Sequence, residues 1–241
     1  MGKQDKIFEE GNVSGLPFSF NQEVTEVFED MIDRSVPGYG TTLKIIQQQT
    51  KNHYIEGSNI YDLGCSLGAS TSSLLNALNG RSKVIAIDNS ESMVSACKER
   101  FSNYIRAGQV NFLKEDISNS QILNASIVVI NFVLQFLSIK EREELIQKIY
   151  KGLVPGGILI LSEKVHFDSI KRTEEISNIH HSFKAANGYS KLEISSKRDS
   201  LDGVLVTELE SQHLDRAKEV GFKVSTKLMS NLNFLTYKFQ K

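Results

Sequence analysis

The chain reads as an α/β protein built on one doubly wound, mostly parallel sheet of seven strands. Three observations predict this. From residue 59 onward, strand-like runs alternate with helical ones, the pattern of successive strand–helix–strand units. The first strand runs, such as "VIAID" and "SIVVIN", are continuously apolar rather than alternating, which fits a sheet covered on both faces. The last two runs, "KVSTKLM" and "NFLTYKF", are joined by a short turn, which makes an antiparallel terminal hairpin.

The elements follow in order. After Phe20, Val24, Val27, Phe28 and Met31 share one helical face, and Pro37–Gly38 stop that helix. "GYGTTLKIIQQQTKNHY" predicts a second helix with Thr41 as its cap. The first strand is 59–63, and the helix after it ends at Gly80. A second strand covers 83–88. The next helix is capped by Ser90, and the third and fourth strands cover 109–116 and 126–131. "SIKEREELIQKIYKGL" carries Leu145, Ile146, Ile149 and Leu153 on an amphipathic helix, and "PGG" turns into a fifth strand, "ILILSE". Residues 164–203 break the rhythm: they are polar and helical in pattern, a helical insert. A helix over 208–220, ended by Gly221, leads to the hairpin. The whole of 1–241 is thus expected as a single domain, with N-terminal helices over about 18–55.

Composition narrows the function classes. The 241 residues carry a formal net charge of -1, which gives no bulk attraction to nucleic acid. Two cysteines in unlike settings, Cys65 and Cys97, suggest a reduced, cytosolic protein. "MGKQDKIFEEGNVSG" has no apolar signal-peptide core and is expected to be mobile. No apolar run is long enough to span a bilayer. No His/Cys/Asp grouping has metal-ligand spacing, so no metal is expected.

The chemistry concentrates at strand ends. "IYDLGCSLGAST" places Gly64 and Gly68 just beyond the first strand, where a backbone without Cβ lets a ligand approach and the next helix offers free N–H groups. Asp88 ends the second strand, 24 residues beyond Gly64, and suits a ribose acceptor. Asp116 and Ile117 follow the third strand and flank a heterocyclic base. The three ends together predict a nucleoside ligand. The loop lacks the G-x-G-x-x-G triplet of a pyrophosphate site, so a nucleoside with an amino-acid tail fits better.

Asp62, Gly64, Gly68, Asp88 and Asp116 resemble the S-adenosylmethionine-binding face of class I methyltransferases, with Ser66 where a middle glycine is common. A narrower resemblance spans nearly the whole chain. "PGYGTTL", "DLGCSLGAST", "VIAIDNS", "NFVLQFL", "GLVPGG", "LSEKVHF" and "ANGYSKLEISSKRD" are similar to the carboxy-S-adenosyl-L-methionine synthases of wobble-uridine tRNA modification. The resemblance implies an enzyme that takes S-adenosylmethionine as substrate rather than as methyl donor. Prephenate would lose carbon dioxide and water to give phenylpyruvate. The sulfonium methyl would lose a proton, and the ylide would capture the carbon dioxide. A separate enzyme would use the product to modify tRNA.

The same resemblance implies the site. Tyr39 would close over the ligand; Gly64, Cys65 and Ser66 would hold the methionine tail; Asp88 and Asn89 would bind ribose; Asp116 and Ile117 would frame adenine; Asn131 would lie near the sulfonium. Arg198 would be the catalytic cation, its guanidinium fork meeting the new carboxylate in a bidentate pair. Lys164, Arg172 and Lys197 are further candidates for the two carboxylates of prephenate. Cys65 reads better as a small buried residue than as a nucleophile. His180 and His181 read as packed or solvent-facing, and His166 as a residue near the fifth strand's end. Phe183, Leu192 and Ile194 suggest a second buried surface on the insert, where two copies would meet. The competing readings are a conventional methyltransferase acting on tRNA or a small acid, and a non-catalytic protein that binds the nucleoside.

Overall fold

The computed structural model describes residues 3–9 and 17–241. Two N-terminal helices, α1 (Gln22–Ser35) and α2 (Tyr39–His53), precede β1 (Asn59–Leu63), α3 (Ala69–Leu78), β2 (Val84–Asp88), α4 (Glu91–Arg100), the short α5 (Ser102–Arg106), β3 (Val110–Lys114) and β4 (Ala125–Asn131). A 3-10 turn over Leu134–Phe136 leads to α6 (Ile139–Gly152) and β5 (Leu153–His166). The insert supplies α7 (Ile170–Ala186) and α8 (Lys191–Leu201), before β6 (Glu208–Leu209), α9 (Glu210–Val220), β7 (Val224–Asn231) and β8 (Phe234–Gln240).

The sheet runs β3-β2-β1-β4-β5-β8-β7, with the two-residue β6 pairing beside β5. Strands β1 to β5 are parallel, and β8 lies antiparallel to both β5 and β7. The order reverses at β1, so the tips of β1 and β4 open a crevice between them.

The continuous apolar runs have the expected cause. On β4, Val128 and Ile130 face α6 and α9, whereas Ile127 and Val129 face the layer that carries Ile46, Leu74 and Val94. All four β4 residues are fully buried, and each contributes roughly 1.5–3 kcal/mol of transfer free energy. A third cluster, with Phe8, Val24, Val27, Met31 and Met93, fastens α1 and the N-terminal segment to α4.

Several expectations change. Thr41 is not a cap: Gly38, left-handed at φ 82, starts α2 without a side-chain cap. Leu153 begins β5 rather than ending α6, and Pro155–Gly157 form an irregular start within that strand. The insert is shorter than 164–203 at its start, because β5 keeps pairing with β8 as far as Lys164 and with β6 as far as His166. The expected mobility of the N-terminal stretch fails for residues 3–9. The Asp5 backbone N–H donates to Asp30 at 2.7 Å, the Asp5 carboxylate accepts from Tyr189 at 2.5 Å, and Phe8 is buried. The rest of that stretch, 1–2 and 10–15, lies outside the described residues.

Candidate active site

At the tip of β1, the N–H groups of Gly64 and Cys65 both donate to the Ile87 carbonyl, at 2.8 and 3.0 Å. Gly64 has φ 75, and a Cβ there would lie 2.5 Å from a methyl of Val133; at Gly68 it would lie 2.7 Å from the Phe101 ring. Both glycines take the left-handed backbone that a residue without Cβ adopts freely, and both are crowded by neighbouring side chains. Ser66 stands in the left-handed region at φ 48, a conformation that costs a side-chain-bearing residue about 1–2 kcal/mol. Its N–H donates to Asp88 at 2.8 Å, which helps to hold the strained turn.

Asp62, just ahead of the turn, faces inward and accepts the Thr71 hydroxyl at 2.5 Å. It ties the end of β1 to the first turn of α3. Burial raises its pKa to about 7, against the lowering effect of Thr71. Cys65 and Cys97 are not in unlike settings: both are buried, their thiols interact, and Cys97 Sγ lies 3.1 Å from the Ser66 carbonyl. The Cys97 contact and burial push the Cys65 thiol well up, so it stays protonated and makes a poor nucleophile.

The tips of β1 to β4 line a cavity of about 390 Å³, roofed by α1, α2 and the insert. Tyr39, Gly64, Cys65, Ser66, Asp88, Asn89, Asp116, Ile117 and Asn131 all line it; Asp62, Gly68 and Arg198 do not. Asp88 accepts two backbone N–H groups, from Ser66 and from Ser90 at 2.9 Å, and burial raises its pKa. Its carboxylate has lone pairs left for ribose hydroxyls. Asp116 Oδ1 accepts the Ser118 N–H at 2.8 Å. Asn131 donates to Ser70 Oγ at 3.1 Å, and its own Oδ1 is buried without a partner among the described residues. A buried carbonyl oxygen left unpaired costs about 1–3 kcal/mol, so a ligand donor or cation belongs against it.

Comparison with known proteins bears on what occupies this crevice. Residues 60–157 match the methyltransferase domain family. Human N-acetylserotonin methyltransferase, solved with S-adenosylmethionine, superimposes with a TM-score of 0.61 at 14% identity, over 91% of this chain and 55% of that one. An O-methyltransferase family protein from Burkholderia thailandensis gives 0.63 at 14% identity, over 95% of this chain and 65% of that one. These fix the fold. The carboxy-S-adenosyl-L-methionine synthase of Shewanella sediminis is 46% identical over 221 residues, 91% of both chains, and that of Escherichia coli O17:K52:H18 is 43% identical over 235, 97% of this chain and 95% of the other. The chain belongs to the carboxy-S-adenosyl-L-methionine synthase family. It is accordingly an S-adenosylmethionine-dependent transferase, and the Asp88 and Asn131 geometry fits that sulfonium nucleoside as its substrate.

Arg198, expected at the carboxylate, does not reach the cavity of its own chain. Its side chain is 64% exposed and pairs with Asp199 at 2.9 Å. The cause is helical phase. The inner face of α8 carries Glu193, Ile194, Lys197 and Ser200, and the next residue after Lys197 lies about 100° around the helix. Lys164 and Lys197 do line the cavity. Arg172 does not; it stacks on Phe167 at 4.3 Å. His166 bonds Thr207 at 3.0 Å away from the cavity. His180 packs as expected, with Nε2 2.7 Å from the Ser35 carbonyl, yet it also forms part of the cavity wall.

Other lining residues escaped the sequence reading. Phe18, Phe20 and Phe136 close one side, with Phe20 against Phe136 at 5.2 Å between ring centres. Lys184 lines the far side. Its signal was its spacing: it stands one turn after His180, and these two are the buried residues of α7. Below the cavity floor, Glu163 accepts the N–H groups of Val133, Leu134 and Gln135 at 3.1, 2.8 and 3.2 Å. This carboxylate pins the loop whose Phe132 takes φ 62 and faces the ligand space. Burial raises the pKa of Glu163 to about 8, although those three donors and Arg142 pull it down.

Proposed function

We propose that the chain converts S-adenosylmethionine and prephenate to carboxy-S-adenosylmethionine and phenylpyruvate, and that a separate enzyme spends the product on the wobble uridine of tRNA. The observation that carries this reading is the charge of the cavity: the strand tips suited to a nucleoside continue into a wall containing lysines. An acceptor pocket of lysines opposes a sulfonium but suits an anion held beside it. Asp88 and Asn89 serve the ribose, Asp116 and Ile117 the adenine, and the turn of Gly64, Cys65 and Ser66 the amino-acid tail. Asn131 Oδ1 faces the positive sulfur. The sulfonium makes its methyl protons acidic. Prephenate leaves as phenylpyruvate, carbon dioxide and hydroxide; the hydroxide takes the methyl proton as water, and the new carbon–carbon bond forms to carbon dioxide. Aromatic walls from Phe20, Phe132 and Phe136 limit water around that step.

The chain is proposed to work as a homodimer in the cytoplasm. Of the apolar residues expected to form a second surface, Ile194 is buried within the chain and Phe183 stacks on His180, but Leu192 stays exposed on the insert. Arg198 is also exposed on the insert, and in such a dimer its service to the carboxylate would fall on the cavity of a neighbouring copy.

The test is direct. Purified protein incubated with S-adenosylmethionine and prephenate should yield phenylpyruvate and a nucleoside heavier by one carbon dioxide. S-adenosylhomocysteine as the sole nucleoside product would favour a conventional methyltransferase. Neither product, with tight nucleoside binding, would favour a carrier.

A further inference from the structure

A second group of buried charges lies outside the cavity. Arg142 on α6, Glu208 on β6, and His213 and Arg216 on the inner face of α9 are all buried, Arg216 the most exposed of them at 8%. None of the four lines the cavity. Glu208 joins the two arginines: its Oε2 accepts from Arg142 Nη1 at 2.7 Å and its Oε1 accepts from Arg216 Nη2. Arg142 uses its other two nitrogens as well, Nε donating to the Leu137 carbonyl at 3.0 Å and Nη2 to the Val206 carbonyl at 2.7 Å. The Val206 N–H in turn donates to the Gln135 carbonyl at 2.8 Å. Gln135 and Leu137 line the cavity, so the group braces their loop from behind.

The α9 side of this group is left unmatched. Among the described residues, Arg216 Nε and Nη1 and both ring nitrogens of His213 are buried without a hydrogen-bond partner. The two residues stand three apart on α9 and share its buried face. A buried guanidinium that keeps free N–H groups points to a bound ion or water. The balance of charge favours an ion. Arg142 and Arg216 are positive, and Glu208 is negative: burial pushes its carboxyl up, but hydrogen bonds from Arg216 and Arg142 hold it below the usual carboxylate range. Burial lowers His213 to about 4 despite Glu208, with Arg216 and Arg142 acting in the same direction as burial, so it is neutral and offers one N–H. The other acids nearby are engaged elsewhere. Glu210 pairs with Lys227 at 2.6 Å and accepts from Tyr237; Glu163, raised to about 8 by burial, accepts the three amides of the loop. One positive charge thus stays unanswered inside the fold, and an unpaired buried charge is expensive.

We propose that Arg216 and His213 form a buried site for a small monovalent anion of halide size, chloride being the common one. The ion accepts an N–H of Arg216 and the ring N–H of His213, and it completes the charge of the row Arg142–Glu208–Arg216. A single unanswered charge in a closed setting suits a halide better than a phosphate or a sulfate. Through Arg142 the occupied site stiffens the stretch from Gln135 to Leu137 and the return of the insert at Val206. The site is independent of the reaction carried out at the strand tips.

The experiment compares the full chain in sodium chloride and in sodium gluconate, whose anion is too large to be enclosed, at equal ionic strength. Chloride should raise the melting temperature of wild type by about 2–4 °C and slow deuterium exchange at the Val206 amide several-fold. Arg216→Met leaves Glu208 paired with Arg142 alone and removes the unanswered charge, so it should melt at the same temperature in both salts. His213→Phe keeps the ring volume and loses the donor; it should lose most of the chloride effect, and it serves as the test if the arginine variant does not fold. Crystals of wild type grown in sodium bromide should show an anomalous-scattering peak within hydrogen-bond distance of both side chains. Equal melting of wild type in the two salts, with a water and no bromide between Arg216 and His213, would overturn the site. So would a chloride effect retained in both variants, which would move the anion to the lysines of the cavity.

Discussion

Gly64 shows how one missing side chain sets the site. Its φ of 75 and the 2.5 Å approach of Val133 to an added Cβ mean that Gly64→Ala strains the backbone and pushes on a stiff β-branched neighbour. A loss of about 1–3 kcal/mol in denaturant unfolding is expected, with weaker nucleoside binding; unchanged stability would contradict the packing. Asp62 makes a pH-dependent statement. Burial raises its pKa on folding from the ordinary carboxylate value of 3.8 to about 7. The native state thus holds a proton that the unfolded chain releases, and the associated stability is present below about pH 4 and lost as pH rises through 7. Glu163, raised to about 8, adds a slope of the same sign. His180 and His213, lowered by burial to about 3 and about 4, and Lys184, lowered by burial to about 7, contribute slopes of the opposite sign. The check is therefore a difference between proteins: from about pH 5 to 7 the unfolding free energy of Asp62→Asn should lack a falling contribution that wild type carries. A variant with the wild-type slope would show that Asp62 is ionised throughout. The residue types at the strand tips were legible in the sequence because their order follows chain order. The partners Val133 and Phe101 were not, because they arrive from distant positions.

At the scale of elements, the loop between β4 and α6 depends on Glu163, three residues before the end of β5. Glu163→Gln retains one acceptor oxygen but turns an N–H toward a backbone donor, leaving a buried group unsatisfied at about 1–3 kcal/mol. The amides of Val133, Leu134 and Gln135 should then exchange faster with deuterium than in wild type; equal protection would remove Glu163 from this role. Capping was readable where a side chain performs it. Ser90 accepts from Met93 N–H, and Ser138 forms a capping box with Glu141. It was not readable at α2, where Gly38 does the work through its own backbone conformation. The insert's helices were evident from their pattern, but their phase was not. Both flanks of α8 are polar, so choosing between Lys197 and Arg198 required knowing which side meets α1 and α7.

For the molecule as a whole, Leu192 stays 47% exposed on the insert and is the apolar residue on which the proposed dimer rests. Light scattering at micromolar concentration should give twice the chain mass, and Leu192→Glu should shift it toward one; a wild-type monomer would also remove the role of Arg198. No helix among the described residues is long and apolar enough to cross a membrane. By itself the sequence determined the doubly wound sheet, its terminal hairpin and the nucleoside-facing strand ends, because strand periodicity and the position of each tip are properties local to the chain. Tertiary structure alone decided which cations line the cavity, which side chains crowd the glycines and where the N-terminal segment goes. Those depend on helix phase and on contacts between residues far apart in sequence, such as Asp5 with Tyr189, which no local pattern encodes.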